Sequence, residues 1–477
     1  MMRVLHVCSE VYPYLKTGGL ADVAAGLPTA QARLGCEARL LVPGFPALLA
    51  GLRDARTLAE LPPRFGASSV RLLAGKLLDL DAYVIEAPGL YDRPGNPYAD
   101  AYHQAYGDNH RRFALLGWVG ARLAQGLDDA WRPDVLHGHD WHAGLAPAYL
   151  RAWGVQGVRS VITVHNLAYQ GVFPAQCFGE LDLPGQFFGM HGVEFNGSVS
   201  FLKAGLYYAD KITTVSPTYA REIQDAEQGC GLQGLLRGRA ADLHGILNGV
   251  DYAVWHPRVD AHVAAHYDAD DLRGKRDCKR ALQSECGLAV RDDAPLFGVV
   301  SRLTDQKGLN LVLDGVQDII ERGGQLAMLG SGDAWLEHAF REAAARHPQS
   351  VAVQLGYDEA KAHRIIAGSD LILVPSRFEP CGLTQLYGLA YGTVPLVRRV
   401  GGLADSVADR SPENLAAGTA TGIVFNDFDA HAFRWAVGEA FRLHGQPQAW
   451  RKIQQQGMRQ AFSWEVAARS MMAVYQD

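Results

Sequence analysis

The amino-acid sequence predicts an α/β protein made of two domains, each built on a parallel β-sheet. Short apolar β-type runs alternate with longer helical patterns along most of the chain, which is typical of βαβ units. The alternation comes in two series, separated by a polar and charge-dense stretch at about residues 244–293. A chain of 477 residues also forms two large domains more readily than one. We therefore expect two Rossmann-like domains with a cleft between them.

The strands and helices can be assigned in order from these patterns. The strands predicted in the first series are "RVLHVCS", "ARLLVP", "AYVIEAP", "DVLHGH", "SVITVH" and "KITTVS". Those of the second series are "PLFGVVS", "QLAMLG", "VAVQLG", "LILVPS" and "PLVRR". The clearest helical stretches are "LADVAAGLPTAQARLG", "HRRFALLGWVGARLAQG", "GLAPAYLRAWG", "GLNLVLDGVQDIIERGG" and "AWLEHAFREAAARH". We predict a first domain over residues 1–245, a second over 246–458, and a C-terminal helix over 459–477 that packs back on the first domain.

Composition excludes several classes of function. The chain has 45 Lys and Arg against 51 Asp and Glu, and this net charge of −6 argues against a nucleic acid or an anionic membrane as the main partner. No stretch is long and apolar enough to predict a membrane span, and the N-terminus does not show the pattern of a signal peptide. Seven scattered cysteines do not indicate a disulfide framework. The expected location is the cytoplasm.

The first candidate site is "KTGGLADV", which follows the first predicted strand. Gly18 and Gly19 at a helix start leave backbone N–H groups open to a ligand, and Lys16 adds a positive charge beside them. Any tight turn between a strand and a helix also favours glycine, so an anion site and a plain turn both remain open. The motif is not GxGxxG, so a nicotinamide or flavin cofactor is not indicated.

Two further candidates lie in the second series. In "VVSRLTDQKGLNLVL", Arg302 and Lys307 follow a strand end, where open α/β folds bind ligands; solvated loop cations are the alternative, but Gly308 and the helix start favour a diphosphate site. In "VPSRFEPCGLTQLYGL", Glu379 lies between a strand and a helix. A carboxylate there suits sugar hydroxyls. The backbone amides offered at the following helix start are those of Gly382, Leu383 and Thr384.

Histidines give weaker signals. "HGHDWH" groups three histidines, but a metallo-hydrolase pattern HxHxDH would need its aspartate one residue after Asp140, where Trp141 stands, so we predict no metal ligands here. His165 in "TVHNLAYQG" is either structural or catalytic. The DxD-like triplets are not at strand ends near the basic residues, which disfavours a nucleotide held by a metal.

The combined motifs "KTGGLADV", "YDRPGNPY", "HDWHAGL", "TVHNLAYQG", "SRLTDQKGL" and "SRFEPCGLTQLYGL" resemble those of the bacterial glycogen synthases, in the ADP-glucose-dependent glycogen and starch synthase family. The resemblance covers essentially the whole chain. It implies the GT-B glycosyltransferase fold with the active site in the interdomain cleft. The implied activity is transfer of glucose from ADP-glucose to the non-reducing end of an α-1,4-glucan, such as glycogen, with retention of anomeric configuration and no metal or other cofactor.

The resemblance also implies roles for individual residues. The implied donor site contains Lys16, Gly18, Gly19, Asp22, Asn248, Arg302, Lys307, Cys381, Gly382, Leu383 and Thr384. The implied catalytic residues are Glu379, His165, Lys307 and Arg302. The implied acceptor side contains Tyr91, Asp92, His139, Asp140 and Glu194. Preference for ADP over UDP rests on the resemblance alone.

Other functions remain as alternatives. A glucan phosphorylase or a sugar-nucleotide epimerase would share the fold, and the phosphorylase would need a pyridoxal phosphate chromophore. A metal-dependent hydrolase built on "HGHDWH" would lose activity to a chelator. A catalytically silent glucan-binding protein is disfavoured by the intact Lys16, Arg302, Lys307 and Glu379. We also expect a donor clamp that is shared between the two domains.

Overall fold

The computed structural model describes all of residues 1–477, and the chain divides into two units. The first unit consists of Met1–Gly249 and Trp464–Asp477, and the second unit is Val250–Ser463. The sequence predicted domain boundaries at 245/246 and 458/459. In the structure the boundaries between the units lie at 249/250 and 463/464.

The first unit is built on a nine-stranded sheet. Its strands, together with a small separate sheet, are β1 (Arg3–Val7), β2 (Glu37–Pro43), β3 (Arg53–Leu61), β4 (Val70–Leu77), β5 (Leu80–Glu86), β6 (Val135–His139), β7 (Arg159–Val164), β8 (Val172–Pro174), β9 (Glu194–Phe195), β10 (Ser198–Ser200), β11 (Lys211–Thr214) and β12 (Leu243–Gly245). The order in the large sheet is β12-β11-β7-β6-β1-β2-β5-β4-β3, and β8, β10 and β9 form the small antiparallel sheet. All pairs of the large sheet are parallel except β4 with β5 and β3.

The helices of the first unit cover the faces of this sheet. They are α1 (Gly19–Arg33), α2 (Pro46–Gly51), α3 (Asn109–Ala124), α4 (Leu145–Ala152), α5 (Phe201–Tyr208), α6 (Pro217–Glu222) and α7 (Gln233–Gly238). Helix α3 is buried along nearly its whole length, and its apolar residues join those of β1, β2, β5 and α4 in one large core. Because the central strands are buried on both faces, they read as continuous apolar runs.

The second unit is a six-stranded parallel sheet between helices. Its strands are β13 (Leu296–Val300), β14 (Gln325–Gly330), β15 (Val351–Leu355), β16 (Leu371–Val374), β17 (Val394–Arg398) and β18 (Ile423–Phe425), in the order β15-β14-β13-β16-β17-β18. Its helices are α8 (Arg273–Glu285), α9 (Leu309–Glu321), α10 (Ala334–Arg346), α11 (Glu359–Gly368), α12 (Thr384–Ala390), α13 (Gly401–Ser406), α14 (Pro412–Ala417), α15 (Ala430–His444) and α16 (Pro447–Met458). Sequential strands cross the sheet through helices, as the βαβ pattern predicts.

The chain then returns to the first unit as helix α17 (Trp464–Gln476), which packs against α1. A Cβ at Gly26 of α1 would lie 2.3 Å from the indole of Trp464, so only glycine lets the ring rest on the helix at this point. Val23 and Leu27 of α1 and Ala468 of α17 share one buried cluster.

All eleven strands predicted from the sequence are present. The sequence patterns missed the antiparallel hairpin β3–β4, the three strands of the small sheet, and the short strands β12 and β18. No helix combines the length and the apolar character that a bilayer crossing would need.

Candidate active site

Lys307 and Glu379 of the second unit form an ion pair. Lys307 follows β13 and Glu379 follows β16, and these parallel strands are neighbours, so their following loops meet at one edge of the sheet. Lys307 Nζ donates to Oε1 of Glu379 at 2.9 Å and to Oε2 at 2.7 Å, and the Ser376 hydroxyl donates to Oε2 at 2.9 Å. Glu379 is buried and Lys307 is largely buried. The carboxylate that the sequence placed near phosphates is therefore compensated by a lysine of its own unit.

Arg302 lies at the same edge and is exposed. It follows β13, five residues before Lys307, and its guanidinium forms no ion pair or hydrogen bond within the chain. Gly308 has a φ of +69°, and a Cβ there would lie 2.0 Å from the carbonyl oxygen of Pro375, in the segment after β16. Glycine therefore permits the close approach of the two loops that joins Lys307 to Glu379.

Cys381, Gly382, Leu383 and Thr384 form the turn that leads into α12. Gly382 has a φ of +74°, in the left-handed region. Cys381 is buried, and the amide of Gln385 donates to the carbonyl oxygens of Cys381 at 3.0 Å and Gly382 at 2.9 Å. The turn is held by its own helix, and its role in phosphate binding stays a prediction.

A second glycine pair, Gly401 and Gly402, packs against the backbone of the segment that contains Glu379. A Cβ at Gly401 would lie 1.9 Å from the carbonyl oxygen of Glu379, and one at Gly402 would lie 2.1 Å from that of Cys381. The Gly402 N–H donates to the Glu379 carbonyl at 3.1 Å. The "GGLAD" at residues 401–405 is thus required by close packing of two loops.

In the first unit, the loop that carries Lys16 is fixed from two directions. Lys16 Nζ lies 3.0 Å from Oδ1 of Asp22, one turn into α1, so this predicted donor-site cation is paired with another predicted donor-site residue. The neighbouring Thr17 donates from its backbone N–H and its hydroxyl to the carboxylate of Glu10, which is buried and also accepts from the hydroxyl of Tyr98.

Gly18 and Gly19 differ from Gly401 and Gly402 in their surroundings. A Cβ added at either of them would meet no atom within 4 Å. Gly18 has a φ of −159°, which any residue adopts. Neither packing nor backbone conformation within the chain requires glycine at these two positions, which leaves the approach of a ligand as the physical reason for them.

A row of four histidines connects the carboxyl ends of three adjacent strands. His165, after β7, contacts His139 of β6 (Nε2 to Nδ1, 3.0 Å), and His139 contacts His6 of β1 (Nε2 to Nδ1, 3.1 Å). The fourth, His137, is two residues before His139 on the same face of β6. Burial lowers the pKa of His6 to about 4 and that of His165 to about 3, and it places the pKa values of His137 and His139 well below their ordinary value.

This row bears on the metal alternative. The ring nitrogens of His6, His137 and His139 lie within 4.8 Å of one another, whereas His142, the third histidine of "HGHDWH", stacks on Tyr98 instead. The rings of His6, His137 and His139 have six nitrogens in all, and each nitrogen has a hydrogen-bond partner in the protein. The partners are other histidines and the side chains of Gln31, Tyr475 and Thr163. A metal ion would have to displace those hydrogen bonds.

Asp140 is the most strained residue of the candidate site. Its φ of +56° and ψ of −170° lie in a region that is essentially restricted to glycine, and such strain clusters at functional sites. Its Oδ1 accepts the backbone N–H of His165 at 2.7 Å. Burial raises the pKa of Asp140 to about 7, against the opposing effect of the N–H groups of His165 and Asn166.

The structure places two of the predicted acceptor-side residues in the interior of the first unit. Tyr91 is buried in the core, where its hydroxyl donates to the carbonyl oxygen of Arg112 at 2.6 Å. His139 is fully buried and lies behind His165. Both were assigned from motifs, which do not show whether a side chain points inward or outward.

The other predicted residues occupy separate places. Asp92 is exposed and its Oδ1 accepts the N–H of Gly89, while Glu194 lies in the small antiparallel sheet and accepts the N–H of Gly197 at 2.7 Å. Asn248 and His165 line one small cavity of the first unit, with a volume of about 10 Å³. Neither Asp92 nor Glu194 forms a hydrogen bond with His165.

The sequence patterns missed several residues that support these sites. Glu10 and His6 belong to "RVLHVCSE", and both side chains are buried. A histidine within an apolar strand and a carboxylate just after it are signals that the sequence does show. Gln31 and Tyr475 gave no such signal. Tyr357 follows the edge strand β15 and is 75% exposed, so the second unit presents an aromatic ring at the same edge as Arg302.

Comparison with known proteins identifies the family. Residues 3–238 match the starch synthase catalytic domain family, and residues 287–456 match glycosyl transferases group 1. The chain is 58% identical to a glycogen synthase of Francisella philomiragia, with 99% of each chain covered. It is 57% identical to that of Francisella tularensis subsp. novicida, with 100% of this chain and 99% of the relative covered. The chain belongs to the glycogen synthase family.

Solved structures agree with this family assignment. The catalytic domain of starch synthase IV from Arabidopsis thaliana, solved with ADP and acarbose, matches with a TM-score of 0.90 and 31% identity, over 100% of this chain and 99% of that one. Sucrose-phosphate synthase from Thermosynechococcus elongatus shares the fold, with a TM-score of 0.62 and 16% identity over 100% and 98% of the two chains. This member of the glycogen synthase family is a glycosyltransferase of the two-domain α/β type predicted from the sequence.

Proposed function

We propose that this glycosyltransferase transfers glucose from ADP-glucose to the non-reducing end of an α-1,4-glucan, with retention of anomeric configuration, and so elongates glycogen. The observation that carries the proposal is the arrangement of Arg302, Lys307 and Glu379 at one carboxyl edge of the second unit's sheet. Two cations and a compensated carboxylate are the groups that a sugar diphosphate requires: positive charge for the diphosphate and hydrogen-bond acceptors for the sugar hydroxyls.

The two cations have different roles in this proposal. Departure of ADP builds negative charge on its terminal phosphate, and fixed cations stabilise that charge in the transition state. Arg302 has no partner in the chain, so its guanidinium is available for a bidentate contact with a phosphate. Lys307 is held by Glu379 and adds a positive charge that is already oriented before the donor binds.

Glu379 positions the substrate in this proposal and does not attack it. Both of its carboxylate oxygens already accept hydrogen bonds, from Lys307 and from Ser376. These contacts reduce the electron density available for attack on the anomeric carbon. Retention is then best explained by a same-face route, in which the acceptor attacks from the side where the phosphate leaves.

In the first unit, the Lys16 loop is proposed to contact the diphosphate. Gly18 and Gly19 leave room for a ligand beside the amino end of α1, where backbone N–H groups are unpaired. The ion pair between Lys16 and Asp22 is partly exposed, and such pairs contribute about 0–1 kcal/mol, so a phosphate can replace Asp22 at little cost. His165 and Asp140 are proposed to face the transferred glucose and the acceptor.

The nucleotide is proposed to be ADP, the ligand present in the solved starch synthase IV structure. Tyr357 offers an exposed ring on which an adenine can stack. The proposed reaction takes no metal or other cofactor, because the cations and backbone amides of the protein serve the leaving group. All seven cysteines are free, which suits a reducing compartment, so we also propose a cytoplasmic location that cell fractionation would test.

The test is glucose incorporation into glycogen, measured in parallel with ADP-glucose and UDP-glucose. We expect incorporation with ADP-glucose that persists in excess EDTA, and an α-1,4 linkage in the product by proton NMR. The Arg302→Ala variant should lose about a hundredfold in rate.

Arg322→Ala is the matched control. Arg322 follows α9, at the opposite end of that helix from Lys307, and pairs only with Asp318, so the variant removes the same charge away from the site. Wild-type rates in Arg302→Ala, or equal losses in both variants, would contradict the proposal. Activity that EDTA abolishes would favour the metal-dependent alternative.

A further inference from the structure

We propose that Gln31 and Tyr475 fix the position of the proton on His165, acting through the buried histidines His6 and His139. In this arrangement His165 presents an unprotonated Nδ1 to its ligand. The functional part of the inference rests on the proposed function, in which His165 contacts the transferred sugar. Gln31 and Tyr475 are then positioning residues on two helices, and neither touches substrate.

The geometry is a continuous chain of hydrogen bonds. Gln31 of α1 contacts His6 (Oε1 to Nε2, 2.7 Å), His6 contacts His139 (Nδ1 to Nε2, 3.1 Å), and His139 contacts His165 (Nδ1 to Nε2, 3.0 Å). Gln31, His6 and His139 are each fully buried, so no water competes for these nitrogens. The chain stops at His165, whose Nδ1 has no hydrogen-bond partner in the protein.

The orientation of one amide sets the direction of the whole chain. The Gln31 amide nitrogen donates to the hydroxyl of Tyr475 at 3.0 Å, which turns its carbonyl oxygen towards His6. A carbonyl oxygen only accepts, so Nε2 of His6 carries the proton. A neutral imidazole has one N–H and one bare nitrogen, so the bare Nδ1 of His6 accepts from Nε2 of His139.

The same logic continues to the site. Nδ1 of His139 is then bare and accepts from Nε2 of His165, which leaves Nδ1 of His165 bare. This order of protons exists only while His6, His139 and His165 are all neutral. Burial keeps them neutral by lowering their pKa values. Were the Gln31 amide rotated by half a turn, every proton in the row would shift and His165 would present an N–H instead.

Tyr475 holds that amide in place. Its hydroxyl also contacts Nδ1 of His137 at 2.6 Å, and Nε2 of His137 contacts the Thr163 hydroxyl at 2.6 Å. This second branch continues from Thr163 to Thr213 at 2.5 Å, and it joins the row that leads to His165 only through Tyr475 and Gln31. The returning helix α17 therefore fixes Gln31 through Tyr475, while Thr213, three hydrogen bonds beyond Tyr475, provides a buried control position.

The consequence concerns recognition of the sugar. A bare Nδ1 accepts a hydrogen bond from a substrate hydroxyl, whereas an N–H there would face a hydroxyl oxygen as a donor. A histidine held in the wrong tautomer can keep its position in a site and still lose its function. The row thus makes Nδ1 of His165 a hydrogen-bond acceptor while the ring remains uncharged.

The direct test is NMR of the full-length protein labelled with ¹⁵N-histidine, at pH 7.5 and without ligand. Long-range proton–nitrogen correlations distinguish an N–H nitrogen from a bare one, and the His165→Asn variant assigns the signals. We expect His165, His139 and His6 all to carry the proton on Nε2. A proton on Nδ1 of His165 would overturn the inference, whatever the activity of the enzyme.

Three variants test the cause. Gln31→Met replaces the acceptor by a weakly accepting thioether, so His165 should become a mixture of both tautomers. Gln31→Glu keeps an oxygen acceptor and should retain the wild-type signals. Thr213→Val removes a buried hydroxyl from the other branch and should also leave His165 unchanged. Unaltered His165 signals in Gln31→Met, with the fold intact by circular dichroism, would overturn the role of Gln31.

Kinetics test the functional part separately. The kcat for glucose transfer should fall by about fivefold in Gln31→Met, the value of one hydrogen bond, and should recover in Gln31→Glu. If the tautomer changes in Gln31→Met while kcat does not, the proton on His165 is irrelevant to the reaction and that part is overturned. If the wild type does not transfer glucose at all, the proposed function fails while the NMR result still decides the hydrogen-bond chain.

Discussion

Replacing Asp140 with asparagine should stabilise the protein at pH 8 while lowering its glucosyltransferase activity. Asp140 is buried, its backbone is strained, and its Oδ1 accepts the N–H of His165. An asparagine can accept the same hydrogen bond but never ionises. The change therefore removes the cost of a buried charge and keeps the local geometry.

The magnitude follows from the pKa of Asp140, which burial raises from 3.8 to about 7. This rise corresponds to a penalty of about 4 kcal/mol on the ionised form. Because folded Asp140 holds its proton to a higher pH than the unfolded residue does, the contribution of Asp140 to the stability of the wild-type protein falls as the pH rises from 3.8 to about 7. The advantage of Asp140→Asn should thus be absent below pH 3.8 and complete, at up to about 4 kcal/mol, near pH 8.

The assay is urea denaturation of both proteins at a series of pH values between 5 and 8, with the activity measured at pH 8. The variant should be increasingly favoured as the pH rises, and it should transfer glucose more slowly, as expected where function keeps a destabilising residue. A constant difference in stability across this pH range would refute the reasoning, as would a variant that is less stable than the wild type at pH 8. Full activity in the variant would remove Asp140 from the acceptor side.

Three further predictions concern the same sites. Glu379→Gln should leave Lys307 without its counter-charge, lowering the unfolding free energy by about 2 kcal/mol and kcat by about a hundredfold, measured by thermal unfolding and glucose incorporation. Gly19→Ala should leave the melting temperature unchanged but raise the KM for ADP-glucose. Gly402→Ala should lower the melting temperature, because its Cβ would lie 2.1 Å from a carbonyl oxygen. Equal melting temperatures in the two variants would contradict the packing argument. The buried histidines have lowered pKa values, so the unfolded chain binds more protons than the folded one below pH 6.5, and the stability should fall as the pH drops further. Urea midpoints that stay level from pH 6.5 to pH 4 would contradict this prediction.

Most of the strands that the sequence revealed are buried along nearly their whole length, and the partly exposed edge strand β15 is the exception. Strands such as β6, buried throughout, read as apolar runs bounded by turns. Strand β3 was missed because its nine residues are mostly exposed at the edge of the sheet and show neither an apolar run nor alternation. Strands β12 and β18 have three residues each, which is too short for a periodic signal.

Positions in the candidate site could be predicted, and contacts could not. Arg302, Lys307 and Glu379 stand at strand ends, and a strand end is visible in a sequence. The pairing of Lys307 with Glu379 depends on β13 lying beside β16, and that neighbourhood comes from the order of strands in the sheet. The burial of Tyr91 could not be predicted for a related reason, since a loop motif does not show which of its side chains turn into the core.

The return of α17 makes the second unit an insertion within the first. Residues 250–463 are continuous and include every strand of their own sheet, whereas the first unit lacks the partner of α1 until residues 464–477 have been synthesised. On the ribosome, the second unit can therefore complete its core before the first one does. Until then Gly26 has no indole above it and Gln31 has no hydroxyl to orient its amide, so the parts of the first unit that carry His165 mature after a unit made later in the chain.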